Sequence, residues 1–128
     1  MSESRLSNIK KSQKESLLLR EISTIFSRAA IDDKNLQDAY ISRVKLSDDK
    51  GVCYIFFYCP EGEDFFNEKL KMLKLYKPSL RKAIAKTIKG RYVPELIFKY
   101  DNEFEKQRKI EDLLDKIKDE DSNIKSNE

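Results

Sequence analysis

Residues 39–59 constrain the fold of this 128-residue chain more than any other segment. Two strand-like runs, AYISRVKL (39–46) and VCYIFFYC (52–59), flank the turn cluster SDDKG, which ends in Gly51. The second run is rich in aromatic and β-branched residues, which favour strands. Side chains in the first run alternate between two faces, so one face would carry Tyr40, Ser42, Val44 and Leu46. The sequence therefore predicts a β-hairpin.

Apolar residues at helical spacing predict an amphipathic helix on each side of the hairpin. The first helix runs from Asn8 to about Ala29, behind frayed residues 1–7. The helix after the hairpin is marked by three apolar residues, Phe66, Leu70 and Leu73.

Pro78 interrupts this second helix, because proline lacks the amide that a continuing helix requires. A third helix is expected at 79–89, with Ser79 placed to cap its start and Gly90 placed just after its end. The segment thus predicts two helices separated by a kink.

A third strand (92–100) and a last helix complete the chain. Asp101 or Asn102 can cap the last helix, and one side of it carries Ile110, Leu113, Leu114 and Ile117. The expected order is helix–strand–strand–helix–helix–strand–helix, with no internal repeat. We therefore expect one α+β domain over residues 1–118, followed by a disordered acidic tail at 119–128.

The two cysteines indicate a reducing compartment. Cys53 and Cys59 would lie on one face of the second strand, about 20 Å apart at the rise of an extended chain. A disulfide needs Cα atoms within about 7 Å, so both are predicted to be buried thiols. The longest apolar run is far shorter than the roughly 20 residues that span a bilayer, and no secretory signal is evident. We expect a cytoplasmic protein.

Several chemistries lack the residues they require. The chain has no histidine, and its three glycines form neither a phosphate-binding loop nor a dinucleotide fingerprint. Acidic groups occur at Asp32/Asp33, Asp48/Asp49 and Glu61/Glu63/Asp64, and a metal-dependent nuclease is one alternative that would use them. Each group lies in a predicted turn, where acids are common. We expect a protein that is not an enzyme and uses no cofactor and no metal.

Charge is concentrated in residues 69–94, which hold nine Lys or Arg and no acid, although the whole chain has 23 acidic residues. One side of the third helix would carry Leu80, Ala83, Ile84, Thr87 and Ile88. The opposite side would carry Arg81, Lys82, Ala85, Lys86 and Lys89, and the patch extends to Lys74, Lys77 and Arg91. A solvated face usually mixes charges, because opposite charges support a helix. The pattern favours nucleic-acid binding over a merely solvated face, and docking to an acidic partner protein is the other alternative.

The segment SLRKAIAKTIKGRYVPELIFKYDNEFEKQRKIEDLLDKI (79–117) resembles the bacterial ribosome-binding factor A family. The similarity lies in the Arg-x-x-Pro-Glu-Leu-x-Phe-x-x-Asp pattern and the amphipathic helix after it. It extends from about Arg5 to Ile117 and includes the hairpin and the early cations of the first helix, Lys10, Lys11 and Lys14. The resemblance implies a KH-like domain of the second type with a C-terminal helix.

The resemblance also implies a function: binding to the small (30S) ribosomal subunit and assistance in late maturation of its 16S rRNA, including 5′-end processing, with a role in growth in the cold. The family's Ala-x-Gly kink is replaced here by Tyr76, Lys77 and Pro78. We expect a monomer whose partners are the subunit, in precursor form, and its rRNA. The expected RNA contacts are Lys10, Lys11, Lys14, Lys74, Lys77, Arg81, Lys82, Lys86, Lys89 and Arg91.

Overall fold

The computed structural model describes the backbone of residues 2–88 and 92–126, with side chains described from 5 to 88 and from 92 to 120. Lys89, Gly90 and Arg91 lie outside the described residues, so the predicted cap at Gly90 and two of the predicted RNA contacts do too. The elements are α1 (Ser2–Asp32), a short 3₁₀ helix (Lys34–Leu36), β1 (Tyr40–Leu46), β2 (Val52–Tyr58), α2 (Glu63–Lys74), α3 (Lys77–Thr87), β3 (Glu95–Tyr100) and α4 (Asn102–Ser126).

The three strands form one sheet in the order β1-β2-β3. β1 pairs with β2 antiparallel, as the hairpin predicts, and β2 pairs with β3 in parallel. The parallel pairing requires a crossover, and α2 and α3 supply it. This arrangement confirms the α+β, KH-like order expected from the sequence.

One face of the sheet forms the core with α1, α2 and α3. Its buried strand residues are Val44, Leu46, Cys53, Ile55, Phe57, Leu96, Phe98 and Tyr100. The helices contribute Leu18, Ile22, Phe26, Phe66, Leu73, Leu80 and Ile84. The Phe57 ring lies at the centre, with the rings of Phe26, Phe66 and Phe98 between 5.1 and 5.7 Å from it, centroid to centroid.

A β-bulge in β1 overturns part of the predicted alternation. The register shifts between Ile41 and Arg43, because Ser42 is the extra residue on that strand. Ile41 consequently packs against the core, while Tyr40 is 57% exposed. The expectation that Tyr40 shares a face with Val44 is therefore wrong.

Helix boundaries also differ from the sequence prediction. Helix α1 begins at Ser2, although residues 1–7 were expected to be frayed. Helix α3 begins at Lys77, with Tyr76 as its N-cap residue, so Ser79 is not the cap. Pro78 lies in the first turn of α3, where its missing amide would have no helical partner anyway.

Helix α4 is longer and more exposed than expected. It continues to Ser126, so residues 119–126 have helical backbone where the sequence predicts disorder. No glycine or proline follows residue 101, so nothing in that segment breaks the helix. The predicted apolar stripe is present but does not pack on the domain, since Ile110, Leu113, Leu114 and Ile117 are between 48% and 64% exposed. Within the described ranges, no helix has an apolar stretch long enough to cross a lipid bilayer.

Both cysteines are free and fully buried, as predicted. Burial raises the pKa of the Cys53 thiol to about 12 and that of the Cys59 thiol to about 11. The thiolate is the reactive form, so the folded protein should resist alkylation by iodoacetamide at pH 8. We expect mass spectrometry to find neither cysteine modified in buffer and both modified in concentrated urea. Rapid labelling of the folded protein would contradict this packing.

Candidate nucleic-acid interface

Core packing determines which side of α3 faces outward. Leu80 and Ile84, one turn apart, are buried against the sheet and α1. The opposite side therefore faces outward, and Arg81, Lys82 and Lys86 are all exposed. For these described residues, the two faces predicted for the third helix are confirmed.

A shallow open groove runs between α3 and α1. On the α3 side it is lined by Lys82, Ala83 and Lys86. Leu17, Glu21 and Ile25 line the α1 side. The small side chain of Ala83 leaves space between the two lysines, which would let an extended phosphate chain approach the helix.

The cations of α2 and α3 have no carboxylate partners in the part of the chain that is described. Its four salt bridges involve Lys11, Arg43 and Arg108, and none includes a residue between 63 and 88. Glu21 is the acid that lines this groove, and it lies on the α1 wall, opposite Lys82 and Lys86. A cationic face without internal salt bridges is one that favours anions.

The cations at the start of α1 divide into two groups. Lys10 and Lys14 share a helical stripe with Leu17 and Glu21, so they continue the α1 wall beyond the groove. Lys10 is exposed, and Lys14 is half-buried. Lys11 faces the β1–β2 turn instead, with its ammonium 3.1 Å from the Asp48 carboxylate. Lys10 also lies beside that turn, where it lines a small hollow with Lys50, so Lys14 is the cation of this group that lies nearest to the groove along the stripe.

The two cations nearest the kink, Lys74 and Lys77, differ in their exposure to solvent. Lys74 is exposed in the last turn of α2. The Lys77 ammonium lies 5.3 Å from the centroid of the Phe98 ring and is half-buried. Because it is half-buried, Lys77 is less available to phosphate than the exposed Lys74.

The kink is anchored to the end of α1 by a hydrogen bond. The Tyr76 hydroxyl donates to the Asp33 carboxylate, which lies just beyond α1. This bond lowers the pKa of Asp33 and raises the pKa of Tyr76. It also shows that α3 starts near the end of α1. Tyr76, placed at the kink by sequence comparison, is therefore a structural anchor.

Pro78→Ala should straighten the α2–α3 junction. The backbone there already makes 3₁₀-type turns, with the amides of Leu75 and Tyr76 donating three residues back. Restoring an amide at position 78 would permit a continuous helix. We expect rRNA affinity to fall by about tenfold as phosphate contacts are displaced, while stability changes by less than about 1 kcal/mol.

Circular dichroism and an RNA filter-binding assay would measure the two effects. Pro60→Ala, in the exposed turn after β2, is the matched control and should change neither. Increased helix content with unchanged affinity would show that the kink has no role in binding.

The acidic turn residues have structural partners. Asp33 accepts a hydrogen bond from the Asn35 amide at the start of the 3₁₀ helix. Asp49 accepts bonds from the Ser47 hydroxyl and the Gly51 amide, which lower its pKa. Among the residues the structure describes, no three metal-ligating side chains come together. Asp33 and Asp49 therefore serve the turns in which they lie.

Asp101 has a larger role than the helix cap expected from the sequence. It is 2% exposed, and its carboxylate accepts bonds from the Phe104 amide and the Ser42 hydroxyl. The Arg43 Nε lies 3.0 Å from the same carboxylate, at salt-bridge distance but without hydrogen-bond geometry. These strand partners are 58 and 59 residues away in sequence, so no local pattern indicates them.

Together these features define a class: α+β proteins with a KH-like core that present an unpaired cationic helix beside a kink. The chain belongs to the ribosome-binding factor A family, whose family model matches residues 10–114.

Similar proteins cover nearly the same length. Ribosome-binding factor A of Mycoplasmopsis pulmonis is 32% identical over 117 residues, covering 90% of this chain and 99% of that protein. The Syntrophus aciditrophicus protein of the same name is 37% identical over 108 residues, covering 84% and 86%. The crystal structure of ribosome-binding factor A from Thermus thermophilus aligns with a TM-score of 0.56 at 25% identity, covering 69% of this chain and 92% of that one.

Proposed function

We propose that this protein binds the small (30S) ribosomal subunit as a monomer and assists late maturation and 5′-end processing of 16S rRNA. The proposed contact is the exposed face of α3 with the kink before it. One observation carries the proposal: Arg81, Lys82 and Lys86 project from a single helix face, and within the described residues none has a carboxylate partner. The similar proteins carry the name ribosome-binding factor A, which fits an RNA-rich partner.

Phosphate neutralisation would supply most of the affinity. Each cation that contacts a phosphate releases condensed counterions, and acids on the same face would oppose this. The bonds that hold Asp33 and Asp49 in their own turns also support binding without catalysis. We therefore favour an assembly factor over a nuclease.

Sedimentation with ribosomal particles from the protein's own cell lysate tests this proposal. We expect the tagged protein in the small-subunit peak, enriched in precursor particles, and absent from the large-subunit peak. With about four or five phosphate contacts at roughly −0.7 each, log affinity should fall with log salt at a slope of about −3 to −4. Equal binding to both subunits, or binding insensitive to salt, would contradict it. Equal binding would indicate general attraction to phosphate, and salt insensitivity would favour a protein contact.

A further inference from the structure

The face of the sheet opposite the helices α1, α2 and α3 carries aromatic side chains between cations. On the central strand, Tyr54 pairs with Lys45 of β1 and with Ile97 of β3. One pleat further along, Phe56 pairs with Arg43 and Lys99. These residues alternate with the buried core residues, so they point away from the core. We call Arg43, Lys45, Tyr54, Phe56 and Lys99 the open sheet face.

Cations are positioned directly over the two rings. The Arg43 guanidinium carbon lies 4.1 Å from the Phe56 centroid, and the Lys99 ammonium lies 4.7 Å from the Tyr54 centroid. Both rings remain partly exposed. Helix α4 covers only the neighbouring end of the sheet, where the Phe104 ring lies 4.9 Å from that of Tyr58. Over the described residues, nothing else packs on this face.

Stability alone does not account for this composition. Aromatic residues favour strands, but like charges near each other on a sheet face are unfavourable. Here three cations surround two rings, and Glu95 is the acid that β3 contributes to the same face. Arg43 is held by Asp101 and Glu103, whereas Lys45 and Lys99 form none of the salt bridges in the described structure. The face therefore presents two exposed lysines, Lys45 and Lys99, next to flat apolar rings.

We propose that the open sheet face is a second RNA-contact surface, which stacks unpaired bases of single-stranded RNA on Tyr54 and Phe56 and holds their phosphates with Lys45 and Lys99. This rests on the proposed function insofar as the partner is RNA. Every base has a flat π-face, and each base stacked on an aromatic side chain is worth about 1–3 kcal/mol. The two rings are about 7 Å apart along the strand, so each can take a separate base. Duplex RNA is excluded because its bases are already stacked and paired.

The two surfaces lie on opposite sides of the domain. Helix α3 packs on the core face of the sheet, and the stacking rings lie on the other face. The protein would therefore hold a structured rRNA element on one side and an unpaired strand on the other. Such an arrangement would keep an unpaired segment from forming premature pairs.

Tyr54→Leu together with Phe56→Leu tests the stacking. The double variant keeps apolar strand residues and removes both rings. Its affinity for a ten-nucleotide single-stranded RNA should fall by about tenfold or more, with unchanged affinity for a duplex of equal length. The chain has no tryptophan, so tyrosine emission reports the contact, and stacked RNA should quench it. Tyr54→Phe should retain the affinity and lose part of the quenching.

Phe65→Leu is the matched control, because Phe65 also lies under a lysine, with Lys69 at 5.7 Å, but on helix α2. It should leave single-strand affinity unchanged. If the double variant does not fold, Lys45→Gln with Lys99→Gln should lower the single-strand salt slope by about 1 to 1.5.

The outcomes separate this inference from the proposed function. Wild-type affinity for single strands in the double variant, with small-subunit binding intact, overturns the inference alone. If the double variant loses subunit binding but keeps its affinity for single-stranded RNA, the inference is also overturned. That result would indicate a protein partner on the open sheet face. Absence of any RNA or subunit binding by the wild-type protein contradicts the proposed function itself.

Discussion

Arg81→Glu, Lys82→Glu and Lys86→Glu combined should remove measurable association with the small subunit. Three phosphate contacts would be lost and three repulsive charges added on one face. The salt slope should fall by about 2 to 3, and affinity near physiological salt should fall by about a hundredfold or more. The fold should be retained, because all three side chains are exposed and the core contacts of α3 come from Leu80 and Ile84.

The control for this variant makes the same charge change elsewhere. Lys106→Glu, Lys109→Glu and Lys116→Glu reverse three exposed lysines on α4. That variant has the same net charge as the α3 variant but should retain most of the binding. If both variants lose affinity equally, net charge controls association and α3 is not the interface. If the folded α3 variant sediments with small subunits like the wild type, the proposed interface is wrong.

Asp101→Ala should be the most destabilising single substitution among the polar residues described. The change removes the α4 cap and the Ser42 contact, and it leaves Arg43 without its buried partner. Loss of an N-cap costs about 1 kcal/mol, and a broken buried network adds more. We discount the ion pair because the Arg43 side chain is 39% exposed. The expected total is about 2–4 kcal/mol, a large part of the stability of a small domain.

Urea denaturation measures this loss. Asp101→Asn should cost less, since asparagine is also a good N-cap and keeps an acceptor. Asp112→Ala, on the exposed surface of α4, is the control and should change stability by less than about 0.5 kcal/mol. A loss below about 1 kcal/mol for Asp101→Ala would show that the network contributes little. Reduced subunit binding by the folded variant would give Asp101 a role beyond stability.

Local periodicity accounts for the successful predictions about α3. The spacing of Leu80 and Ile84 determines which side of the helix is buried, and the positions of Lys82 and Lys86 follow from it. The two strand-like runs around a turn cluster likewise predict the hairpin, and the spacing of Cys53 and Cys59 predicts two buried thiols. These features depend on residues a few positions apart, so the sequence alone is sufficient.

The availability of individual cations required the tertiary structure. Lys77 looks like Lys74 in the sequence, but the ring of Phe98 lies beside it in the fold. Lys11 looks like Lys10, but the hairpin turn brings Asp48 within 3.1 Å of it. Composition identifies the cations, whereas contacts with distant segments decide which of them are free.

The sequence by itself determined the order of the elements, the two buried thiols, the core face of α3, and the location of the basic segment. Only the tertiary structure decided the bulge that exposes Tyr40, the start of α3 at Lys77, and the network around Asp101. It also decided the parallel pairing of β2 with β3, which places Lys99 beside Phe56 on the open sheet face. The physical reason is range: helical and strand periodicities arise from neighbouring residues, whereas bulges, buried polar networks and strand partners depend on segments that meet only when the chain folds.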